Sequence, residues 1–521
     1  MMKHAMLRWL DSLRHMVCFL SPKPKRHGYE AAEEAVMADA VQPRSPDSST
    51  PQPSTASIDS RAQKQKRVRV QRKTPGSLTG SDYSDPTEST TPSRDDSKTE
   101  ATTFSIVTDN HSLDLKTTAK PARLDTTTPY IPILQVDGSL RAPQLAFDGY
   151  GSFGGRFAPE SIMGFLYELT SFFEDTVSDP AFWSEYATFQ NAPTSLHIAP
   201  NLTSLANGAT IWLKREDENY YGSHKVRNIT GQLLLARRMG RQEIVTDCAS
   251  AKHGSFTAAM CGRLGLRCVI VMGTDDANAQ RDDVGKMKSL GARVLTTRTP
   301  SGMGSLRAAI TEALRYSVCH HESAYYLMGS PVGPSPLPTV TRTFQSLLGE
   351  EVALQMDAEG AHPDALVTAI GSGTGAVGLF RPFLQDRSVR LVGVEAVRAA
   401  ALTDGEQGVL HGARTLLLQS QEGQINDSHS ISPDMNLSTV GPEVANWKDS
   451  ARIEIFTATD EDAIDGFGLL NDQEGIKSGL DSSHAVKRTL ELAKELGPGK
   501  NVVLMVTGYD NIAMRETEAR K

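Results

Sequence analysis

Cysteine is scarce in this sequence, which has five among its 521 residues, namely Cys18, Cys248, Cys261, Cys268 and Cys319. Their number is odd and no two are spaced as a C-x-x-C pair, which argues against both a disulfide scaffold and a cysteine zinc site. This usage is typical of a cytoplasmic protein with reduced cysteines. A run of about 18 apolar residues is also lacking, so the sequence predicts no membrane-spanning helix and no membrane partner.

The chain also lacks a positive net charge and has few apolar residues. The formal net charge is −8, which argues against a general nucleic-acid-binding protein. Apolar residues make up 39% of the chain, a low share for a protein that is globular throughout. Part of the chain is therefore not expected to fold.

The sequence changes character near residue 128. Residues 42–128 are rich in Ser, Thr, Pro and Asp, a composition that buries too little apolar surface to offset chain entropy. We predict a mostly disordered extension over residues 1–128 and a folded domain over residues 129–521. Two weaker signals lie in the extension: residues 1–20 resemble an amphipathic anchor or organellar transit peptide, and the basic cluster KRVRVQRK resembles a nuclear signal.

Short apolar runs alternate with helical patterns from residue 130 onward. Seven runs are typical of buried strands: Ala209–Leu213, Glu243–Thr246, Arg267–Met272, Arg293–Thr296, Ala365–Ile370, Val389–Val394 and Val502–Val506. Five segments have helical periodicity: Asn228–Met239, Ser255–Leu264, Asp283–Leu290, Ser305–Tyr316 and Ala376–Phe383. This alternation predicts an α/β fold with parallel sheets flanked by helices. The domain is too long for one sheet core, so we expect two lobes with a cleft between them.

A lysine stands where one of these helices begins. The segment Gly222-Ser223-His224-Lys225 precedes the helix predicted from Asn228, which places Lys225 near a helix start in the cleft. Burial and the helix dipole would lower the pKa of such a lysine towards the free amine that forms Schiff bases. A solvated surface charge is the alternative interpretation.

A glycine-rich loop follows one of the predicted strands and consists of Gly371, Ser372, Gly373, Thr374 and Gly375. Its backbone N–H groups and two hydroxyl groups can cradle an anion, so we interpret the loop as a phosphate site. A tight connection between strand and helix, with no ligand, is the alternative.

A third loop follows the strand at residues 243–246. Asp247, at its start, is a candidate general acid or base, although a helix cap explains an aspartate there equally well. The N–H groups of such a loop can bind a carboxylate. The candidate substrate-binding residues are Cys248, Ala249, Ser250, Lys252 and His253.

Long ordered stretches of the sequence resemble the β subunit of tryptophan synthase, in its fungal-like form. They run from FGGRFAPES at Phe153 to about Asn511 and include PTSLHIAPNLT, IWLKRED, YGSHK, MGSPVGPSPLPTVTRTFQSLLG, GQINDSHSIS and VGPEVANWKDS. The resemblance implies a two-lobed fold-type-II enzyme with pyridoxal 5′-phosphate (PLP) between its lobes. It also implies a homodimer and a partner, an α subunit or α domain, that releases indole.

The same resemblance implies roles for individual residues. Lys225 matches the lysine that binds PLP covalently and, once displaced by L-serine, removes the α-proton before indole or a related nucleophile adds. His224 and the loop at residues 371–375 match the surroundings of the PLP phosphate. Thr507 matches a serine that hydrogen-bonds the pyridine nitrogen, and Glu395 matches a glutamate near the cofactor.

Several positions depart from the family pattern. Asp247 stands where the family has a glutamate, and a displacement of about 1 Å in such a group can cost on the order of 100-fold in rate. Two glycines of the family loop are Ala249 and Ala251, its glutamine is Lys252, and an asparagine two residues after the PLP lysine is Arg227.

Three functions are therefore left open by the sequence. The first is PLP-dependent β-replacement on L-serine. The second is a β-eliminating serine or threonine deaminase-like activity, which Arg227 favours because related dehydratases carry an arginine there. The third is a catalytically silent relative, which crowding of the carboxylate loop by Ala249 and Ala251 favours.

Overall fold

The computed structural model of the protein describes residues 149–508. The signals at residues 1–20 and 66–73, the disorder predicted for residues 1–128 and the boundary at residue 128 lie outside this range. Within residues 149–508, no helix is both long and apolar enough to cross a membrane.

Helices and strands alternate through these residues. The strands are β1 Leu196–Ile198, β2 Thr210–Arg215, β3 Glu243–Cys248, β4 Arg267–Gly273, β5 Arg293–Thr297, β6 Ala324–Leu327, β7 Ala365–Ala369, β8 Arg390–Ala396, β9 Glu406–Leu410, β10 Ala413–Leu417, β11 Glu454–Ala458 and β12 Asn501–Val506. The helices are α1 Glu160–Val177, α2 Pro180–Ala187, α3 Pro200–Ala206, α4 Val226–Arg238, α5 Ala251–Leu264, α6 Thr274–Ala279, α7 Arg281–Ser289, α8 Leu306–Cys319, α9 Leu337–Gln345, α10 Leu347–Ala358, α11 Thr374–Leu379, α12 Ala401–Asp404, α13 Pro442–Asp449, α14 Asp460–Glu474, α15 Leu480–Ser483 and α16 Val486–Leu496.

The larger sheet has the strand order β1-β2-β12-β7-β8-β11. β1 is antiparallel to β2, and the other pairs in this sheet are parallel. Along β12, Val503 and Met505 belong to one apolar cluster, whereas Val502, Leu504 and Val506 belong to another. Both faces of the strand are therefore covered, which explains why its sequence is a continuous apolar run.

The smaller sheet has the order β5-β4-β3-β6 and is parallel throughout. Its apolar side chains share one cluster with those of α1, α4, α5 and α8. β9 and β10 form a separate antiparallel hairpin. Two parallel sheets, each with its own core, confirm the predicted two-lobed α/β fold.

The predicted elements are found at nearly the expected positions. All seven predicted strands are present, with ends that differ by at most two residues, and a helix lies at each of the five predicted sites. The largest difference at a helix C-terminus concerns Ala376–Phe383. This helix ends at Leu379, and Arg381–Phe383 forms a separate 3₁₀ turn. Pro382 explains the break, because proline has no N–H to donate and its ring clashes with the preceding helical turn.

Candidate active site

A cavity lies where α4 begins, next to the carboxyl ends of β7 and β12. Among the predicted site residues, those that line the cavity are His224, Lys225, Gly371, Ser372, Gly373, Thr374, Gly375 and Thr507. The other lining residues are Ala369, Asp434, Met435, Asp481, Ser482 and Met505.

Lys225 is the residue immediately before α4, and its side chain is buried in the cavity wall. Its Nζ donates to Oδ1 of Asp434 at 2.7 Å. Burial lowers the pKa of Lys225, but the charge and hydrogen bond of Asp434, with smaller contributions from Asp247 and Asp481, outweigh it and raise the pKa above its ordinary value. The predicted lowering of this pKa is therefore wrong, and the reason is a carboxylate that the sequence analysis did not single out.

The glycine-rich loop joins β7 to α11 and is tightly packed. A Cβ on Gly371 would lie 2.2 Å from the carbonyl oxygen of Asp434, so no larger residue fits there. Gly373 has φ +99°, which L side chains rarely adopt. The hydroxyl groups of Ser372 and Thr374 lie 3.0 Å apart and face the same cavity. The loop therefore offers a backbone cradle flanked by two hydroxyl groups.

His224 faces this cavity with unused polar atoms. Neither of its buried ring nitrogens has a hydrogen-bond partner among the described residues. Burial and the neighbouring Lys225 lower the pKa of His224 to about 4, so the ring is neutral at pH 7. A buried polar group of this kind is expected to bind something that enters the cavity.

Asp247 lies at the carboxyl end of β3, buried but outside the cavity lining. Its Oδ1 accepts a hydrogen bond from the Tyr326 hydroxyl at 2.9 Å and from the Gly329 N–H at 3.3 Å. Burial raises the pKa of Asp247 despite these bonds. A raised pKa suits a group that must both accept and release a proton near neutral pH.

None of the residues predicted for the carboxylate loop is among those that line the cavity. The Cys248 thiol is directed at the Ser250 carbonyl, and Ser250 itself has a buried hydroxyl with no partner among the described residues. The Ala251 N–H donates to the side-chain oxygen of Gln280 at 2.8 Å. The side-chain amide of Gln280 in turn donates to the carbonyl of Ala249.

Two further residues of this loop have definite partners. Lys252 Nζ donates to the Gly508 carbonyl at 2.8 Å and lies 3.8 Å from Asp481. His253 Nε2 lies 2.9 Å from the Thr246 hydroxyl, and burial lowers the pKa of this histidine to about 3. The cation of Lys252 is therefore engaged within the protein.

Thr507 and Glu395 differ in their relation to the cavity. The Thr507 hydroxyl lines it and donates its proton to Oδ1 of Asp481 at 2.6 Å, so its oxygen is left as an acceptor. Glu395 lies outside the lining and caps α12, where it accepts from the N–H groups of Leu402 and Thr403. Burial raises the pKa of Glu395 to about 7.

Arg227 belongs to a buried charge cluster and does not line the cavity. It pairs with Glu216, and its Nη2 donates to Oε2 of Glu351 at 2.8 Å. Lys214 Nζ lies 2.7 Å from the same Glu351 oxygen. Two cations balance two carboxylates here, and the cluster ties α4 to β2 and α10. Because Arg227 has this structural role, it no longer favours a deaminase-like site.

Two carboxylates that were not predicted as site residues line the cavity, Asp434 and Asp481. Asp434 lies in a 3₁₀ turn, Pro433–Met435, within the irregular segment between β10 and α13. No motif marks it, and only the fold brings it to Lys225, 209 residues away. Asp481 lies in α15, and its Oδ1 accepts the proton of the Thr507 hydroxyl.

Comparison with known proteins agrees with this geometry. Residues 187–508 match the family model described as pyridoxal-phosphate dependent enzyme. The chain belongs to this family. It is also 42% identical over 372 residues to a Saccharomyces cerevisiae protein named tryptophan synthase, an alignment that covers 69% of this chain and 52% of the relative. The chain thus spans about half the length of that curated relative.

PLP is the cofactor of this family, and the residues of the cavity fit it. The glycine loop lines the cavity together with the hydroxyl groups of Ser372 and Thr374, and backbone N–H and hydroxyl groups of this kind suit a phosphate. The unpartnered ring of His224 adds a polar neighbour, and Lys225 supplies the amine.

We expect Gly373→Ala to weaken PLP binding by roughly tenfold or more. Holding an alanine at the positive φ of Gly373 costs about 1–3 kcal/mol, so the loop would move away from its cradle conformation. The added Cβ would also lie 2.9 Å from Cγ2 of Val444. Titration of the protein with PLP, followed by absorbance, gives the Kd. Gly360→Ala is the matched control: this glycine also has positive φ, +66°, but no atom crowds its Cβ. Equal PLP affinities for wild type and Gly373→Ala would contradict the cradle.

Proposed function

We propose that this chain is a PLP-dependent, tryptophan synthase β-like lyase that replaces the hydroxyl group of L-serine by indole or a related nucleophile. The observation that carries this proposal is the cavity itself, which brings Lys225, His224 and the loop at residues 371–375 together between two lobes. The similarity to a tryptophan synthase supports the choice of substrates.

Several residues in and near the cavity have tasks in this proposal. PLP, when bound, draws electrons away from the α-carbon of the amino acid. Lys225 binds the cofactor and, when displaced by serine, takes the proton from the α-carbon at Nζ. Residues 371–375 and His224 hold the phosphate. Asp247, buried at the end of β3 with a raised pKa, transfers a proton to the departing hydroxyl group and from the incoming nucleophile.

The proposal is tested with the purified full chain, PLP, L-serine and indole. Formation of tryptophan supports β-replacement. Serine alone distinguishes the alternatives, because a deaminase-like enzyme releases pyruvate and ammonia without a nucleophile, whereas a silent relative binds PLP and turns over neither mixture. Either of these two results would overturn the proposal.

Asp247→Asn should lower the rate of tryptophan formation by about 10²–10⁴-fold, the usual contribution of a general acid or base. The amide oxygen can still accept from the Tyr326 hydroxyl, so we expect the fold and the PLP spectrum to be unchanged. Steady-state kinetics with saturating serine measures the effect. Asp247→Glu retains a carboxyl group but displaces it by about 1 Å, so its activity should lie between those of wild type and Asp247→Asn. If Asp247→Asn is as active as wild type, another group transfers the proton.

We infer further that the chain forms a homodimer and accepts indole from an α-subunit-like partner. Three large apolar side chains near the N-terminal end of the described residues support a protein interface: Phe157, Tyr167 and Phe172 are each more than one-third exposed. Light scattering on the full chain distinguishes a dimer from a monomer.

A further inference from the structure

The closest partner of the cofactor lysine is a carboxylate that no comparison assigns to the site. Lys225 Nζ and Asp434 Oδ1 lie 2.7 Å apart, and their side chains are 11% and 13% exposed. A charge-assisted hydrogen bond with so little water around it is stronger than an ion pair on the surface. The pair also lines the cavity, so any molecule that bonds to Nζ must compete with Asp434.

Asp434 is held in place by backbone contacts. It lies in the 3₁₀ turn Pro433–Met435, which is closed by hydrogen bonds from the Met435 N–H to the Ser432 carbonyl and from the Asn436 N–H to the Pro433 carbonyl. The Asp434 carbonyl packs against Gly371, so the turn is pressed onto the glycine loop. The position of the carboxylate is therefore set by the same packing that shapes the phosphate cradle.

The charges around Lys225 favour its protonated form. Asp434 acts most strongly, and Asp247 at the end of β3 and Asp481 in α15 act in the same direction. Burial opposes them. The other titratable neighbours are His224, which is next to Lys225 in the chain, and Cys248, Lys252 and His253 from the loop after β3. His224 and His253 have lowered pKa values and are neutral, so at pH 7 they add no positive charge that would release the proton.

We propose that Asp434 is a positioning residue that holds Lys225 Nζ as an ammonium ion and thereby sets the pH at which the amine can bind an aldehyde covalently. This inference rests on the proposed function, since it concerns the same lysine. The ammonium ion first loses a proton to solvent. The free amine then attacks the aldehyde carbon, a C=N bond forms, and the aldehyde oxygen leaves as water with the two remaining amine protons.

The sign of the pH dependence follows from the pair. Because the pKa of Lys225 is raised, the fraction of free amine at neutral pH is small and grows as the pH rises. Removal of the carboxylate lowers this pKa, and an adjacent opposite charge commonly shifts a pKa by about 1–3 units. Each unit is a tenfold change in the amine fraction. Asp434→Asn should therefore attach PLP about 10- to 1000-fold faster at pH 7 than wild type, with its pH profile displaced to lower pH.

The experiment measures the rate of PLP attachment to the full chain between about pH 6 and pH 10, by stopped-flow absorbance after the protein has been stripped of PLP with hydroxylamine. Borohydride reduction followed by peptide mass spectrometry then reports how much PLP is fixed on Lys225, independently of turnover. Asp434→Ser is a second variant in case the asparagine protein folds poorly. Asp427→Asn is the matched control, because Asp427 lies in the same irregular segment but pairs with Arg307. Its profile should equal that of wild type.

The outcomes separate this inference from the proposed function. A profile displaced to lower pH in both Asp434 variants, and not in the control, supports the role of Asp434. A wild-type profile in either folded variant overturns it. Tryptophan formation from serine and indole is scored separately on the wild-type protein. If no tryptophan forms, the proposed function fails, even when the attachment rate depends on Asp434. If tryptophan forms but the pH profile of PLP attachment is the same in the Asp434 variants as in wild type, only the inference about Asp434 fails.

Discussion

Lys225→Ala should abolish covalent binding of PLP and lower β-replacement by at least 10²–10⁴-fold, the order of magnitude expected from the loss of its proton-transfer role alone. Lys225 is the lysine that lines the cavity, and its amine pairs there with Asp434. Without it, the cofactor has no covalent attachment and the α-proton has no acceptor at that position. The absorbance of the PLP adduct, its reduction by borohydride and the rate of tryptophan formation measure the effect.

Two controls make this result specific. Lys225→Arg keeps a positive charge beside Asp434 but has no free amine at any practical pH, so it should lose the adduct while retaining more stability than the alanine variant. Lys487→Ala removes an exposed lysine whose partner is Asp462, and it should behave as wild type. An alanine variant that still carries a borohydride-reducible PLP adduct would show that another lysine binds the cofactor.

Arg227→Met should lower the free energy of unfolding by about 3–5 kcal/mol, the cost of removing one partner from a buried ion pair. Arg227 is 1% exposed and pairs with Glu216 and Glu351. Lys214 still neutralises Glu351 in the variant, so Glu216 bears most of the unpaired charge. Denaturant unfolding at neutral pH, monitored by circular dichroism, measures the loss.

The loss should depend on pH in a defined direction. Burial by itself raises the pKa of Glu216, but Arg227 and Lys214 together lower it below the ordinary value. Its ionised form therefore stabilises wild type above the unfolded pKa, and this stabilisation is lost as the pH falls. In Arg227→Met burial is opposed by Lys214 alone, so Glu216 should become protonated at a higher pH than in wild type; the deficit should be largest at neutral pH and should shrink as the pH falls.

Arg315→Met provides the comparison for this second prediction. Arg315 also forms an ion pair, with Glu312, but its side chain is 74% exposed. A pair with this much access to water is worth about 1 kcal/mol or less. If the two variants lose equal stability, burial of the Arg227 cluster does not determine its contribution.

Most strands that are buried on both faces were predictable, although β6, which is buried throughout, was missed. Val502–Val506 and Arg267–Met272 are continuous apolar runs, and both are strands at nearly those positions. β1 was missed because it has three residues and lies at a sheet edge. Its side chains are only partly buried, so its sequence is not an apolar run. The hairpin of β9 and β10 was missed because its strands are short and partly exposed, with no clear apolar period.

The site was predictable only where regular elements end. The lysine before α4 and the loop after β7 adjoin a strand or helix, and parallel strands bring their carboxyl ends to one edge. Asp434 follows no strand and precedes no helix of regular length, so nothing in the local sequence places it beside Lys225. The pKa of that lysine was mispredicted for the same reason, because its direction depends on a neighbour from a distant segment.

The central position of β12 has a consequence for how the protein is made. During synthesis, residues 243–327, which contain every strand of the smaller sheet, emerge well before residues 501–506. Until β12 arrives, β2 and β7 lack the strand that lies between them, and Thr507 has not reached the cavity wall. The nascent chain therefore has two open strand edges in the larger lobe until β12 is translated. Unpaired edges of this kind are surfaces to which chaperones can bind, and the cofactor cannot bind in a complete cavity before then.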